Sequence, residues 1–258
     1  MANNDTISKT LTVAVVLCIV CSVIVSASAV ILKPIQEANK EKDFKRNILA
    51  AAGMLEEGKS VEQLFEQVTT KVVDLETGKF TDAVDPKTYD QQKAASDPAM
   101  STNLSAEEDI AGISRIEKYA EVYLVQDTAG NIEKIILPIR GYGLWSTLRG
   151  FIALEQDFNT VVGLGYYEHA ETPGLGGEVD NPKWKSIWHG KKVYNEDDEV
   201  ALSVVKGAVS PSTPGAEFKV DGLSGATLTS NGVDYMIKFW LGELGFAQFL
   251  GNLKKGEA

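Results

Sequence analysis

Residues 11–32 form the first apolar run, 22 positions without a charge. At ~1.5 Å per helical residue the run is about 33 Å long, enough to cross a ~30 Å hydrocarbon core. Ala27-Ser28-Ala29 has the spacing of a signal-cleavage site, but the apolar run continues past it. Its length exceeds an ordinary signal h-region, so the pattern predicts an uncleaved transmembrane helix after a short tail, 1–10. Ile35, Ala38, Phe44, Ile48, Leu49, Ala52 and Leu55 then recur near a 3.6-residue period, which predicts helix over 35–70 with interruptions at Gly53 and Gly58. Residues 74–103 are polar and turn-rich, as expected of a long surface excursion. Ser105-Ala-Glu-Glu108 fits a capping box that opens a helix running to about Tyr119.

The period shortens after that. "AEVYLVQD" (120–127), "IEKIILPIR" (132–140), "GFIALEQD" (150–157) and "NTVVGLGYYEH" (159–169) are apolar or alternating, and turn residues separate them. That spacing suits antiparallel strands, with "ALSVVKG" (201–207) as a further strand. "NPKWKSIWHGK" (181–191) reads as a short helix with Pro182 in its first turn. Val233, Ile237, Trp240, Leu241 and Leu244 mark an amphipathic helix starting near residues 229–231. The expected fold class is α+β: a single N-terminal transmembrane helix (11–32), a helical and polar connecting region (33–118), and an antiparallel-sheet domain flanked by helices (119–258).

Charge narrows the function. The chain holds 36 acidic and 25 basic residues, a formal net charge of -11. Asp5 and Lys9 cancel within residues 1–32, so the whole excess falls on residues 33–258. Nucleic-acid binding draws on a Lys/Arg excess, and this composition argues against it. Lys9 precedes the apolar span, whereas Lys33, Lys40, Lys42, Lys45 and Arg46 follow it, which by count alone puts the large domain in the cytoplasm. Those residues alternate with Glu37, Glu41 and Asp43, and large domains are exported regardless of flanking charge, so charge leaves the topology open. Cys18 and Cys21 lie inside the apolar run and read as small hydrophobes. The remainder has no cysteine, and His169 and His189 stand 20 residues apart, so no helical histidine pair is available for a metal.

Three Gly-rich loops carry the candidate chemistry: "GYGLWS" (141–146), "HAETPGLGGEV" (169–179) and "DGLSGATLTS" (221–230). Glycine lets backbone approach a ligand closely. Trp145 and Leu175 are suited to stack a planar apolar ligand while nearby amides meet its polar edge. In the third loop, the N-terminus of the following helix offers free amides and partial positive charge beside Gly225 and Ala226, room enough for a phosphate. An ordinary N-cap at Thr229 or Ser230 accounts for the same residues, and composition alone leaves both readings standing. Ser224 lacks the Gly-x-Ser-x-Gly elbow of a hydrolase, and neither a Walker A nor a Rossmann fingerprint occurs.

Taken together, "DGLSGATLTS", "ETPGLGGE", "GYGLWS", the "FWLGELGF" ending and the single N-terminal span resemble the C-subunit family of Na+-translocating NADH:quinone oxidoreductases, which shares an FMN-binding domain with the G-type subunits of Rnf-type complexes. Length and "GLWS…ETPGLGGE" favour the former over an Rnf-type electron-transfer flavoprotein; a cofactor-free anchored module is the alternative from a different class. The family signature is Ser/Thr-Gly-Ala-Thr, here Ser224-Gly225-Ala226-Thr227, so the resemblance implies covalent FMN attached through its phosphate to Thr227. It further implies flavin contacts from Leu144, Trp145, Glu171, Thr172, Gly174, Leu175, Leu228 and Thr229. Its implied partners are the other subunits of a sodium pump, an FMN transferase for maturation, and membrane lipid. Its implied setting is the bacterial inner membrane, with the large domain in the periplasm and electrons passing from NADH towards ubiquinone in step with Na+ export.

Overall fold

The computed structural model describes residues 6–258. It opens on helix α1 (Ile7–Ala51), which contains a segment long and apolar enough to cross a membrane. The chain divides into two units, one through Phe44 and one spanning Lys45–Ala258. In the first, the apolar side chains from Ile7 to Ile35 are exposed, as a lipid-facing helix requires. Cys18 and Cys21 are free.

In the second unit, α1 ends where Gly53 adopts φ +63°. A reciprocal capping box between Ser60 and Gln63 starts the short helix α2 (Val61–Phe65). The expectation of helix to residue 70 fails next: Val68–Asp74 is strand β1, paired antiparallel with β5 (Tyr119–Gln126) from Val68↔Val125 to Asp74↔Tyr119. Its Val, Thr and Lys residues include a β-branched run, and a tertiary partner decides the state. Strand β2 (Lys79–Phe80), helix α3 (Gln91–Ser96), β3 (Ser101–Asn103) and β4 (Arg115–Glu117) follow. The helix expected from Ser105 to Tyr119 is also absent. Ser105 and Glu108 do exchange the predicted capping bonds, but Asp109 captures the amides of Ile113 and Ser114, so the coil stops after a turn.

The predicted strands are present as β5, β6 (Ile132–Tyr142), β7 (Thr147–Glu155) and β8 (Val161–Glu168), in a six-stranded antiparallel sheet of order β2-β1-β5-β6-β7-β8. The sheet takes in residues 68–80, so the boundary expected at 119 is corrected: β1 and β2 belong with β5, because a sheet is defined by its hydrogen-bonded neighbours and not by sequence position. Helix α4 (Pro182–Ser186) has Pro182 in its first turn, as expected. Two short parallel strands, β9 (Ser203–Val205) and β10 (Lys219–Asp221), then lead to α5 (Thr227–Trp240) and α6 (Ala247–Lys255).

Helix α5 buries Val233, Met236, Ile237 and Trp240 against Ile135, Leu137 and Ile139 of β6 in the main core. Each such side chain contributes about 1.5–3 kcal/mol when fully buried. The Trp240 indole donates to the Arg140 carbonyl at 2.7 Å, which sets the height of α5 along β6. That placement brings the first turn of α5 to the β6–β7 hairpin.

Candidate functional site

The β6–β7 hairpin pairs Tyr142 with Thr147, leaving Gly143, Leu144, Trp145 and Ser146 as its loop. The loop closes on one internal bond, Gly143 N to Ser146 O at 2.9 Å. Its three outward amides converge on a single acceptor. Leu144, Trp145 and Ser146 donate to Glu171 Oε1 at 3.1, 2.9 and 3.3 Å. The other carboxylate oxygen, Oε2, accepts the Thr229 hydroxyl at 2.6 Å. Glu171 thus joins all three Gly-rich loops, and it is 4% exposed. Burial alone raises its pKa; the Thr229 hydroxyl and the amides of Trp145, Leu144 and Ser146 outweigh that and hold it below the ordinary carboxylate value.

Small residues make this closeness possible. A Cβ at Gly143 would sit 2.7 Å from Glu171 Oε1, and one at Gly176 would sit 2.5 Å from Thr229 Oγ1 and 2.7 Å from Glu171 Oε2. The Glu171 amide donates to His169 Nδ1 at 3.2 Å, and His169 Nε2 pairs with Asp180 at 2.7 Å. Because Nδ1 accepts, Nε2 carries the hydrogen and donates it in a hydrogen bond to Asp180 Oδ2. A second tie runs beside the first, from Ala170 N to Ser146 Oγ at 2.7 Å.

Helix α5 starts at Thr227, two residues earlier than the sequence pattern placed it. Its N-cap is Ala226, with no side-chain cap hydrogen bond, and both hydroxyls expected to cap it are engaged elsewhere. Thr229 is committed to Glu171; Ser230 Oγ donates to Ala226 O and accepts the Leu223 amide. The ordinary capping reading is therefore overturned. The amides of Thr227, Leu228 and Thr229 find no acceptor among the described residues, and the helix dipole adds partial positive charge there. Gly225, at φ +73°, turns the chain so that the exposed Thr227 hydroxyl stands beside this N-terminus without a hydrogen-bond partner among the described residues.

A cleft of about 450 Å³ opens beside Thr227, lined by Lys206, Asp221, Ser224, Gly225, Ser230 and Asn231 among others. Lys206 went unmarked in the sequence pattern. It lies on the segment after β9, and only the β9–β10 pairing brings that segment to the signature loop. On the loops themselves Leu144, Trp145, Leu175 and Leu228 are exposed, with Trp145 at 66%. Leu175 Cδ2 lies 3.3 Å from the position of a Gly225 Cβ, so the second and third loops touch. Apolar surface left open, a free hydroxyl, uncapped amides and a lysine lining the cleft suit a planar ring bearing a phosphate. FMN has that chemistry. Of the residues expected as direct contacts, Glu171 and Thr229 bind each other, whereas Thr172 and Gly174 lie in the turn that Leu175 N and Gly177 N close on the Thr172 carbonyl.

Ser224 is exposed in the same loop. Both histidines are committed away from it, His189 through Nδ1 to Val162 O at 2.9 Å, so no imidazole is poised to serve as its base. Among the described residues no group of three His, Cys, Asp or Glu side chains is arranged to hold a metal.

Residues 143–242 match the family model of the FMN-binding domain. Across its full length the chain is 56% identical to the Na(+)-translocating NADH-quinone reductase C subunit of Pseudomonas aeruginosa, with all of both proteins covered. The corresponding protein of Vibrio alginolyticus is 50% identical over 99% of this chain and 98% of that protein. Among solved structures, Shewanella oneidensis NqrC superimposes with a TM-score of 0.77 at 36% identity, covering 84% of this chain and 99% of that one. The C subunit from Parabacteroides distasonis gives 0.64 at 28% identity, over 85% and 96% of the two chains. This chain belongs to the C-subunit family of Na+-translocating NADH-quinone reductases.

Proposed function

We propose that this chain is a membrane-anchored flavoprotein that relays electrons inside a Na+-translocating NADH:quinone reductase, carrying FMN as a phosphoester on Thr227. The observation that carries the reading is the uncapped start of α5, where a free threonine hydroxyl stands next to three unsatisfied amides. A phosphodiester at Thr227 keeps one negative charge, and those amides and Lys206 stabilise it. Leu144, Trp145, Leu175 and Leu228 are the exposed apolar side chains that would hold the ring. Bound FMN supplies reversible electron transfer, which no side chain here provides. A covalent tether keeps the local flavin concentration independent of free FMN.

Residues 11–32 hold the protein in lipid, and the FMN domain faces the periplasm of a bacterial inner membrane. The other subunits of the complex donate and accept the electrons that couple NADH oxidation to Na+ export, and a separate FMN transferase reaches the exposed Thr227 hydroxyl during maturation. The test is a denaturing gel of protein made alongside that transferase. The band fluoresces under ultraviolet light and its mass carries one FMN increment; Thr227→Ala abolishes both. Fluorescence that survives Thr227→Ala refutes the attachment site, and an unmodified wild-type mass refutes the flavin reading.

A further inference from the structure

Glu171 spends every contact it makes on protein. Its Oε1 takes three amides from a four-residue loop, its Oε2 takes a hydroxyl from α5, and no exposed face of the carboxylate remains for a ligand. Besides Glu171, only the Ala170 N to Ser146 Oγ bond ties residues 143–146 to another loop among the described residues. One internal bond closes it, and Trp145 at its tip is too exposed to be held by packing. We propose that Glu171 is the positioning residue of the flavin site: its carboxylate locks the 143–146 loop and the first turn of α5 into one surface, and its charge disfavours flavin reduction. This inference rests on the FMN reading above and adds to it what sets the geometry and potential of the ring.

Three features support the role. The carboxylate is buried, so removing it strips three amides and one hydroxyl of their protein partner. Gly143 and Gly176 approach it so closely that any larger residue at either position displaces it. Its backbone is held in turn by His169, which Asp180 orients. Electrostatics adds the second effect. Reduction places electron density on the ring, and a fixed anion held by the protein opposes it. Glu171→Gln removes the charge but keeps an oxygen for the three amides, and the Thr229 hydroxyl can turn to accept from the new amide group. Glu171→Ala removes both charge and lock.

The experiment uses the full chain, purified in detergent from cells that also make the FMN transferase. Visible circular dichroism reports how rigidly the flavin is held, and a spectroelectrochemical titration reports its midpoint potential. In Glu171→Ala, Thr227 still carries FMN by mass, but most of the visible dichroism is lost and flavin fluorescence rises as Trp145 drifts away. Glu171→Gln restores the dichroism and shifts the potential upward. Thr229→Val, which removes only the hydroxyl donor, weakens the dichroism partway. Wild-type dichroism in Glu171→Ala, or an unshifted potential in Glu171→Gln, overturns the proposal. Should Glu171→Ala fail to fold, the potential of Glu171→Gln decides alone. A wild-type chain without FMN sinks both this inference and the functional reading, whereas a flavinylated wild type with unaltered variants sinks this inference only.

Discussion

Substituting Gly176 by alanine tests the tightness of the three-loop junction more directly than removing any hydrogen bond. Gly176 does not have positive φ, so alanine meets no backbone penalty there. Its Cβ instead meets Thr229 Oγ1 at 2.5 Å, Glu171 Oε2 at 2.7 Å and Glu171 Cβ at 3.1 Å, all below ordinary contact. The neighbours are a buried carboxylate and the hydroxyl bound to it, and neither is the free end of a flexible chain. Crowding costs about 1–3 kcal/mol, and separating the charge-assisted pair adds about 1.5–3 kcal/mol if it breaks. Together a loss of about 2.5–6 kcal/mol lowers the Tm of a domain this size by about 5–24 °C. Gly174→Ala is the control. That glycine has φ +77° and open space around its Cβ, so alanine there costs only left-handed strain, about 1–2 kcal/mol. Near-ultraviolet circular dichroism melts of both variants at neutral pH check the ordering. A Gly176→Ala chain that melts within about 2 °C of wild type, or above Gly174→Ala, refutes the view that the junction has no slack.

Two further outcomes follow from charges elsewhere in the domain. Burial raises the Glu121 carboxyl from 4.5 to about 7, with Asp90 adding to the effect and the Tyr123 hydroxyl opposing it. The folded chain therefore binds this proton more tightly than the unfolded one, and stability falls as pH rises from 4.5 through 7. Glu121→Gln raises stability by about 1–2 kcal/mol at pH 8, after allowing for partial solvent access, and the gain vanishes below about pH 4.5; urea denaturation at the two pH values measures it, and a gain at low pH would contradict the assignment. Lys206→Met removes the cation from the cleft beside Thr227. The flavin-to-protein ratio at limiting transferase drops, and the deficit narrows as salt is added because screening already weakens the wild-type attraction; equal loading at low salt counts against a phosphate at that end of the cleft.

Residues whose signals are local were legible from the chain. The membrane-length helix follows from an uncharged run, and β5 to β8 follow from alternation broken by turn residues. The Gly-rich 221–230 loop is legible because its small residues and hydroxyls are contiguous, whereas Thr227 stands out only through the family resemblance. The capping pattern at Ser105 predicts the bonds that form but not the length of the turn that follows. Glu108 and Ser105 do pair, but Asp109 ends the turn by taking the amides that a longer helix would have used. Strand β1 was missed because its partner β5 begins 45 residues after β1 ends, from Asp74 to Tyr119.

By itself, then, the sequence determined an anchored α+β protein with a threonine placed among small residues ahead of a helix. Tertiary structure decided that Thr229 is taken while Ser224 and Thr227 stay exposed. Thr229 and Ser230 look as available as Thr227 along the chain; folding brings Glu171 from 58 positions away to claim the first, whereas the second is taken locally by the Leu223 amide and the Ala226 carbonyl. It also decided that Glu171 braces the loops and that Lys206 borders the cleft. The physical reason is range. Periodicity, capping and turn chemistry act between near neighbours, whereas a buried carboxylate selects its donors in space, after the β6–β7 hairpin, the 171–177 turn and α5 have packed together.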